Sequence, residues 1–255
     1  MKTNRVKQQL AKGEPSRSVW LGIPSPSSAR LLARLPLDWL LIDAEHAPID
    51  TALLPQMVAA ITEADGPAPV VRIAQASVEN IKRALDAGAY GVIAPMINTP
   101  EEARQVVAWA KFPPEGERSF GSAYAGLAFD QSMREYLKAA NEQIVVGIQI
   151  ESAKAFENLD AIFGVKGIDL VFVGPVDLSL SLGLDPLPEN QDPQFQRFLN
   201  RLIASAKPHR LPLGIFCSNG AAAAERLRQG FQFVNVASDT GGLVRAVTAE
   251  LEASR

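Results

Sequence analysis

Short apolar runs, mostly β-branched, alternate along the chain with longer stretches in which apolar positions recur at helical spacing. Eight short runs can be counted: Ser18 to Ile23, Trp39 to Asp43, Pro69 to Ile73, Gly91 to Pro95, Val145 to Ile150, Asp169 to Val173, Leu213 to Phe216 and Phe233 to Val236. Several lack polar alternation, as a strand does when packed side chains cover one face and helices the other. Strand followed by helix, eight times over, predicts a parallel sheet closed into one (β/α)8 (TIM) barrel rather than an open sheet. Amphipathic helices are predicted at Ser77 to Ala87, Pro100 to Lys111, Gln194 to Lys207 and Gly220 to Gln229, several opening on Ser, Thr or Asn. Glycines in DAGAYG and RQGFQF end helices just ahead of the next strand. Lys111 to Asn141 is a long excursion rich in Gly, Ser, Tyr and Pro, of the kind that often carries function. A last helix, Thr240 to Ala253, bears an apolar stripe of Leu243, Val244, Val247 and Leu251, suited either to closing its own barrel or to packing on a neighbouring subunit.

Length changes this picture little: 255 residues match a single barrel domain, 1–255, with no linker or internal repeat. The net charge of −3 is spread along the chain without a polybasic run, which argues against nucleic acid and membrane surfaces as partners. Cys217 is the only cysteine, so neither an intrachain disulfide nor a thiolate metal cluster can form, and a reducing, cytoplasmic setting is expected. The first twenty residues lack the apolar stretch of a signal peptide, and no segment reaches membrane-spanning length.

In such a barrel the reacting groups sit at the C-terminal ends of strands, so polar residues there deserve weight. The second strand ends in Asp43-Ala44-Glu45-His46, the third carries Arg72, the fifth runs Gln149-Ile150-Glu151, and the sixth leads into Gly174-Pro175-Val176-Asp177. Glu151 and Asp177, from adjacent strand ends, suit an oxygen-seeking divalent ion such as Mg²⁺ or Mn²⁺, with Co²⁺, Ni²⁺ or Zn²⁺ as further possibilities. Each alone reads better as a helix cap; Gln149, on the same strand face as Glu151, shifts the balance towards metal. Arg72 in PVVRI needs an anion: either a structural partner, Asp43 or Glu151, or the carboxylate and developing enolate of an α-keto acid. His46 gains weight as a proton-transfer group from its neighbours Asp43 and Glu45, whereas His209 falls at the opposite barrel end. No lysine falls where a Schiff base would form, and neither GxGxxG nor GxxxxGK[ST] occurs.

The stretch Leu37 to Pro48, LDWLLIDAEHAP, together with PVVRI, DAGAYGVIAPMINTPEEAR, FPPEGERSFGSAYA, VGIQIES and GIDLVFVGPVDLSLSLG, resembles the HpcH/HpaI aldolases in order and approximate spacing. The resemblance runs from about Val19 to beyond Asp239 and implies a divalent-metal-dependent aldolase that cleaves 4-hydroxy-2-oxo acids to pyruvate, or a related 2-oxo acid such as hydroxypyruvate, and an aldehyde. It implies Glu151 and Asp177 as metal ligands with Gln149 nearby, and Arg72 on the keto oxygen. It further implies that Gly174, Pro175, Val176 and Asp177 receive the carboxylate through backbone N–H groups, and that His46 is the acid/base group, assisted by Asp86 and Asp43. Arg118 and Ser122 resemble a segment near the aldehyde. Similar proteins are hexamers, trimers of dimers that exchange a C-terminal helix, so a homo-oligomer is expected. Ala44, Ile73 and Val176 depart from the usual glycine, proline and alanine, which bears on acceptor preference. A sugar-acid aldolase (2-dehydro-3-deoxyglucarate or 2-keto-3-deoxyrhamnonate type) is the nearest alternative; a CoA-thioester lyase like the citrate-lyase β-subunit and a non-catalytic barrel that binds oxo acids are more distant ones.

Overall fold

The computed structural model describes residues 2–121 and 123–255. Its strands are β1 (Ser16–Leu21), β2 (Trp39–Asp43), β3 (Ala68–Arg72), β4 (Gly91–Ala94), β5 (Val145–Ile150), β6 (Leu170–Val173), β7 (Leu213–Ile215) and β8 (Phe233–Ser238). All pair in parallel, in chain order, and β8 closes on β1. The helices are α1 (Arg5–Lys12), α2 (Pro26–Leu32), α3 (Leu54–Thr62), α4 (Val78–Asp86), α5 (Pro100–Ala110), α6 (Ala123–Ala128), α7 (Met133–Gln143), α8 (Ala153–Glu157), α9 (Leu159–Phe163), α10 (Pro175–Ser181), α11 (Pro193–Ala206), α12 (Gly220–Arg228) and α13 (Asp239–Ala253). The expected single-domain (β/α)8 barrel is thus the observed one.

The barrel interior is a run of aromatic rings. Trp39 stacks on Phe233 at 3.5 Å, Phe233 meets Phe172 edge-on at 6.2 Å, and Trp20 touches Phe172 and Phe216 at 5.6 and 5.3 Å. Gly214 makes this possible, since a Cβ there would stand 2.7 Å from the Phe172 ring. Strands β2 to β7 are buried at every position, which explains why their sequence shows no alternation.

Besides shifts of one or two residues at other strand ends, three differences from the sequence expectation stand out. The first strand starts two residues early, where Ser16 and Arg17 already pair with Phe233 and Val234, and stops two residues early because the N–H groups of Gly22 and Ile23 donate to the Asp239 carboxylate (2.8 and 3.0 Å) instead of continuing the ladder. Lys111 to Asn141 is not one loop: it contains α6 and most of α7, the latter opened by a Ser132/Glu135 capping box. The charged N-terminal segment forms α1, capped by Asn4 and ended by Gly13 at φ 72°. Val6 and Leu10 turn inward from it, and Lys7 bonds Ile144 O and Asp169 just ahead of β5 and β6, so α1 plugs the barrel at the pole opposite its mouth.

Candidate active site

At the mouth, the end of β2 and the end of β3 form one buried unit. Asp43 accepts Arg72 Nε on Oδ1 (3.0 Å) and Arg72 Nη2 on Oδ2 (2.6 Å), a bidentate pair. Trp20 Nε1 also donates to Oδ2 (3.1 Å), and the backbone N–H groups of Glu45 and His46 donate to Oδ1 (3.0 and 3.2 Å). Burial alone would raise the Asp43 carboxyl, but the bonds from Arg72 and Trp20 outweigh it and hold the group below its ordinary range. Asp43 is therefore an anchor that orients its neighbours, with its lone pairs already taken. Arg72 Nη1 lies 3.1 Å from Glu45 Oε2, so the structural partners of the arginine are Asp43 and Glu45 and not Glu151. Burial raises Glu45; Arg72 opposes the rise, and the charges of Asp43 and Asp177 add to it.

Across the mouth, Glu151 is 2 % exposed and Gln149 1 %. Glu151 Oε1 accepts the backbone N–H of Met96 (2.8 Å), a residue held at φ 57°, and Oε2 accepts Gln149 Nε2. Burial, reinforced by the charges of Glu45 and Asp177, pushes the Glu151 carboxyl up to about 7 against the pull of Gln149 and Met96. Gln149 Oε1 is buried with no hydrogen-bond partner among the described residues. Gly174 forms the wall of this cradle: a Cβ there would collide with Glu151 Oε2 and stand 2.9 Å from Gln149 Nε2. Pro175 then starts α10, whose first turn carries Asp177 and has no capping side chain. Among the described residues no three His, Cys, Asp or Glu side chains make a ready metal cluster. The chain's donors here are two carboxylates and an amide oxygen, which fit a hard cation that keeps water or substrate oxygens on its remaining positions.

Between the two halves lies a cleft of about 300 Å³ lined by Trp20, His46, Arg72, Gln149, Phe172, Gly174, Pro175, Val176, Asp177 and Phe216. No lysine lines it, in keeping with the absence of a Schiff-base position in the sequence. His46 is exposed, with Nε2 3.7 Å from Glu45 Oε2. The expected residues Asp43, His46, Arg72, Gln149, Glu151, Gly174, Pro175, Val176 and Asp177 thus converge. Asp86 does not. It ends α4, and a barrel helix runs back from the mouth, so Asp86 lies towards the opposite pole, 3.1 Å from Arg118 Nη2. Arg118 is likewise absent from this mouth: it is 3 % exposed, bonded to Tyr136 (2.9 Å) and stacked over Phe112 (4.5 Å). Ser122 lies outside the described residues. The sequence reading gave no role to Trp20 or Phe216; the inward alternation Ser16, Ser18, Trp20 on the first strand was the signal that pointed the indole at the mouth.

A parallel barrel that brings an anchored arginine and a carboxylate cradle to the C-terminal ends of its strands has its polar groups where barrel enzymes carry out their chemistry. The sequence profile of the HpcH/HpaI aldolase/citrate lyase family matches residues 17–246, and the chain belongs to that family. A hydroxypyruvate/pyruvate aldolase of Rhizorhabdus wittichii is 38 % identical, over 95 % of this chain and 95 % of its own. A 5-keto-4-deoxy-D-glucarate aldolase of Klebsiella pneumoniae is also 38 % identical, over 97 % and 95 %. A crystal structure of a HpcH/HpaI aldolase/citrate lyase family protein from Burkholderia cenocepacia superposes with a TM-score of 0.91 at 36 % identity, covering 99 % of this chain and all of that one. The protein is an aldolase-type lyase.

Proposed function

We propose that the protein cleaves 4-hydroxy-2-oxo acids reversibly to pyruvate, or a related 2-oxo acid such as hydroxypyruvate, and an aldehyde. The observation that carries this reading is the cradle of Glu151 and Gln149. A carboxyl buried to 2 % exposure with only two neutral donors, and an amide oxygen with no partner among the described residues, are oxygen donors suited to a cation, and Asp177 stands beside them. Glu151 and Asp177 would hold the divalent ion, Mg²⁺ or Mn²⁺ by the hardness of the donors, with Gln149 adjoining. Such an ion, when bound, supplies Lewis-acid polarisation of the 2-oxo acid.

The chain's own groups do the rest. The N–H groups at Val176 and Asp177, at the uncapped start of α10, receive the substrate carboxylate, and Gly174 and Pro175 keep the floor beneath it open. Arg72, its edge fixed on Asp43, directs its remaining N–H groups into the cleft and stabilises negative charge on the former ketone oxygen. His46 moves the proton at the donor methyl carbon or at the 4-hydroxyl, through water, since its exposed ring has the solvent access such a relay needs. Asp86 cannot reach His46 in its own barrel and assists only from a neighbouring copy. Helix α13 supports such an assembly: Leu243, Val244, Val247 and Leu251 are 50 to 65 % exposed on it, a stripe that an exchanged helix in a hexamer would cover. Cys217, buried and unpaired, accords with the cytoplasm.

The deciding measurement is solvent deuterium entry into pyruvate by EDTA-stripped protein, alone and with single metals restored, followed by an aldehyde panel. Exchange is expected only with metal, and Arg72→Ala should lose about 100-fold or more of it. Metal-independent exchange, or unimpaired exchange in Arg72→Ala, would overturn the mechanism. The Klebsiella relative is as similar as the Rhizorhabdus one, which favours a second reading in which the acceptor is a sugar-acid aldehyde, so the panel includes carboxylated and polyhydroxylated aldehydes.

A further inference from the structure

Trp20 takes no part in the chemistry above, yet it touches both members of the pair on which that chemistry depends. Its ring lies under Arg72, with the guanidinium carbon 4.7 Å from the ring centroid, and its Nε1–H donates to Asp43 Oδ2 at 3.1 Å. The indole is 5 % exposed and is braced by Phe172 at 5.6 Å and by Phe216, edge-on, at 5.3 Å. Arg72 is thus held along its edges by Asp43 and, at Nη1, by Glu45, and over its face by a ring that is itself packed into the barrel interior. The two grips are not redundant. In-plane contacts to carboxylates, here Asp43 and Glu45, leave the guanidinium free to tilt out of its plane, whereas a ring against its face opposes that tilt. The indole N–H acts on the other partner: Asp43 Oδ2 receives Trp20 and Arg72 together, so the carboxylate cannot twist away while the N–H is present.

We propose that Trp20 is a positioning residue of this site, fixing the direction in which Arg72 presents its remaining N–H groups to the 2-oxo acid by stacking beneath the guanidinium and bonding Asp43. The proposal rests on the charge-stabilising role given to Arg72 above. It separates two functions of one side chain: Trp20→Phe keeps a face and loses the N–H, while Trp20→Leu loses both.

The test compares metal-loaded wild type, Trp20→Phe, Trp20→Leu, Arg72→Lys and the double variant Trp20→Phe/Arg72→Lys in deuterium entry into pyruvate, with KM and kcat determined separately. Misaimed charge stabilisation is expected to lower kcat about 10-fold in Trp20→Phe and about 100-fold in Trp20→Leu while KM stays within about twofold. The double variant should be no more than about twofold slower than Arg72→Lys, because the indole acts through the arginine. Wild-type rates in both Trp20 variants beside a slow Arg72→Lys would overturn the positioning role and leave that of Arg72 intact. A raised KM with unchanged kcat would also overturn it, because it would make Trp20 a mere wall of the cleft. Wild-type exchange in Arg72→Lys as well would overturn both readings. Should the Trp20 variants fail to fold, the assigned indole Nε1–H resonance of ¹⁵N-labelled wild type decides: it should shift when pyruvate is added to saturation, and an unmoved signal overturns the proposal.

Discussion

Gly174 shows how much of the site depends on a missing side chain. The Gly174→Ala methyl would collide with Glu151 Oε2 and press on Gln149 Nε2, both fixed by burial, so neither can retreat without leaving its bonds. Gly174→Ala should cost about 1–3 kcal/mol in stability by overpacking and displace the cradle enough to lower exchange about 100-fold, checked by urea titration and the deuterium assay on one preparation. Cys217 gives an acid–base prediction of the opposite kind. Burial, opposed by Arg226, raises its thiol to about 12, so at pH 8 the folded protein carries a protonated, sheltered sulfur. The stability it contributes is complete below the unfolded thiol value near about 8.5 and is lost as pH climbs towards the folded value. Iodoacetamide at pH 8 should label it only at the rate of unfolding, read by mass spectrometry with and without urea. At this scale the sequence was informative wherever a polar residue interrupted an apolar strand, as Arg72 and Gln149 do. It named Asp43 or Glu151 as the structural partner of Arg72; Asp43, in register with it at the end of β2, is one, while the other is Glu45, which reaches it through the turn after β2 and not by any spacing in the chain.

Among the elements, the strands were legible and the N-terminal helix was not. Buried parallel strands write themselves as unbroken apolar runs, whereas α1 turns only Val6 and Leu10 inward and so shows one turn of periodicity amid charge. Its ends were the better signal: Asn4 before it and Gly13 after it are a start and a stop. Asn4 shows what docks the helix. It is 1 % exposed, its Nδ2 donates to Tyr90 O and Gln143 O at 2.8 Å each, and its oxygen caps α1. Asn4→Ala removes the cap and leaves those carbonyls buried without their donor, and should destabilise by about 2–4 kcal/mol in equilibrium urea unfolding. A change under about 0.5 kcal/mol would mean that the plug is dispensable.

Over the whole molecule, the open question in the sequence was whether Asp86 serves its own barrel. The return direction of α4 answers for one copy: the residue ends up clamped by Arg118 at the far end from His46. No linear pattern carries that information, since it follows from closing the sheet. If Asp86 acts from a neighbour, inactive His46→Ala and Asp86→Ala chains should complement each other. Random mixing in a closed oligomer gives about one site in four an intact His46 facing an intact Asp86, so co-expressed chains should recover up to about a quarter of wild-type activity. Co-expressed chains that assemble together yet show no recovery would refute a shared site.

The plug at the closed end also bears on how the chain is made. Its anchors, Tyr90, Gln143, Ile144 and Asp169, lie far downstream, and Lys2 reaches as far as the Phe129 carbonyl. At about 5–20 residues per second a ribosome needs on the order of ten seconds or more to deliver the last of these anchors. Residues 2–12 must therefore wait for those later residues to be made before they have anywhere to dock, and their few apolar side chains among many polar and charged ones suit a stretch that spends that interval in water.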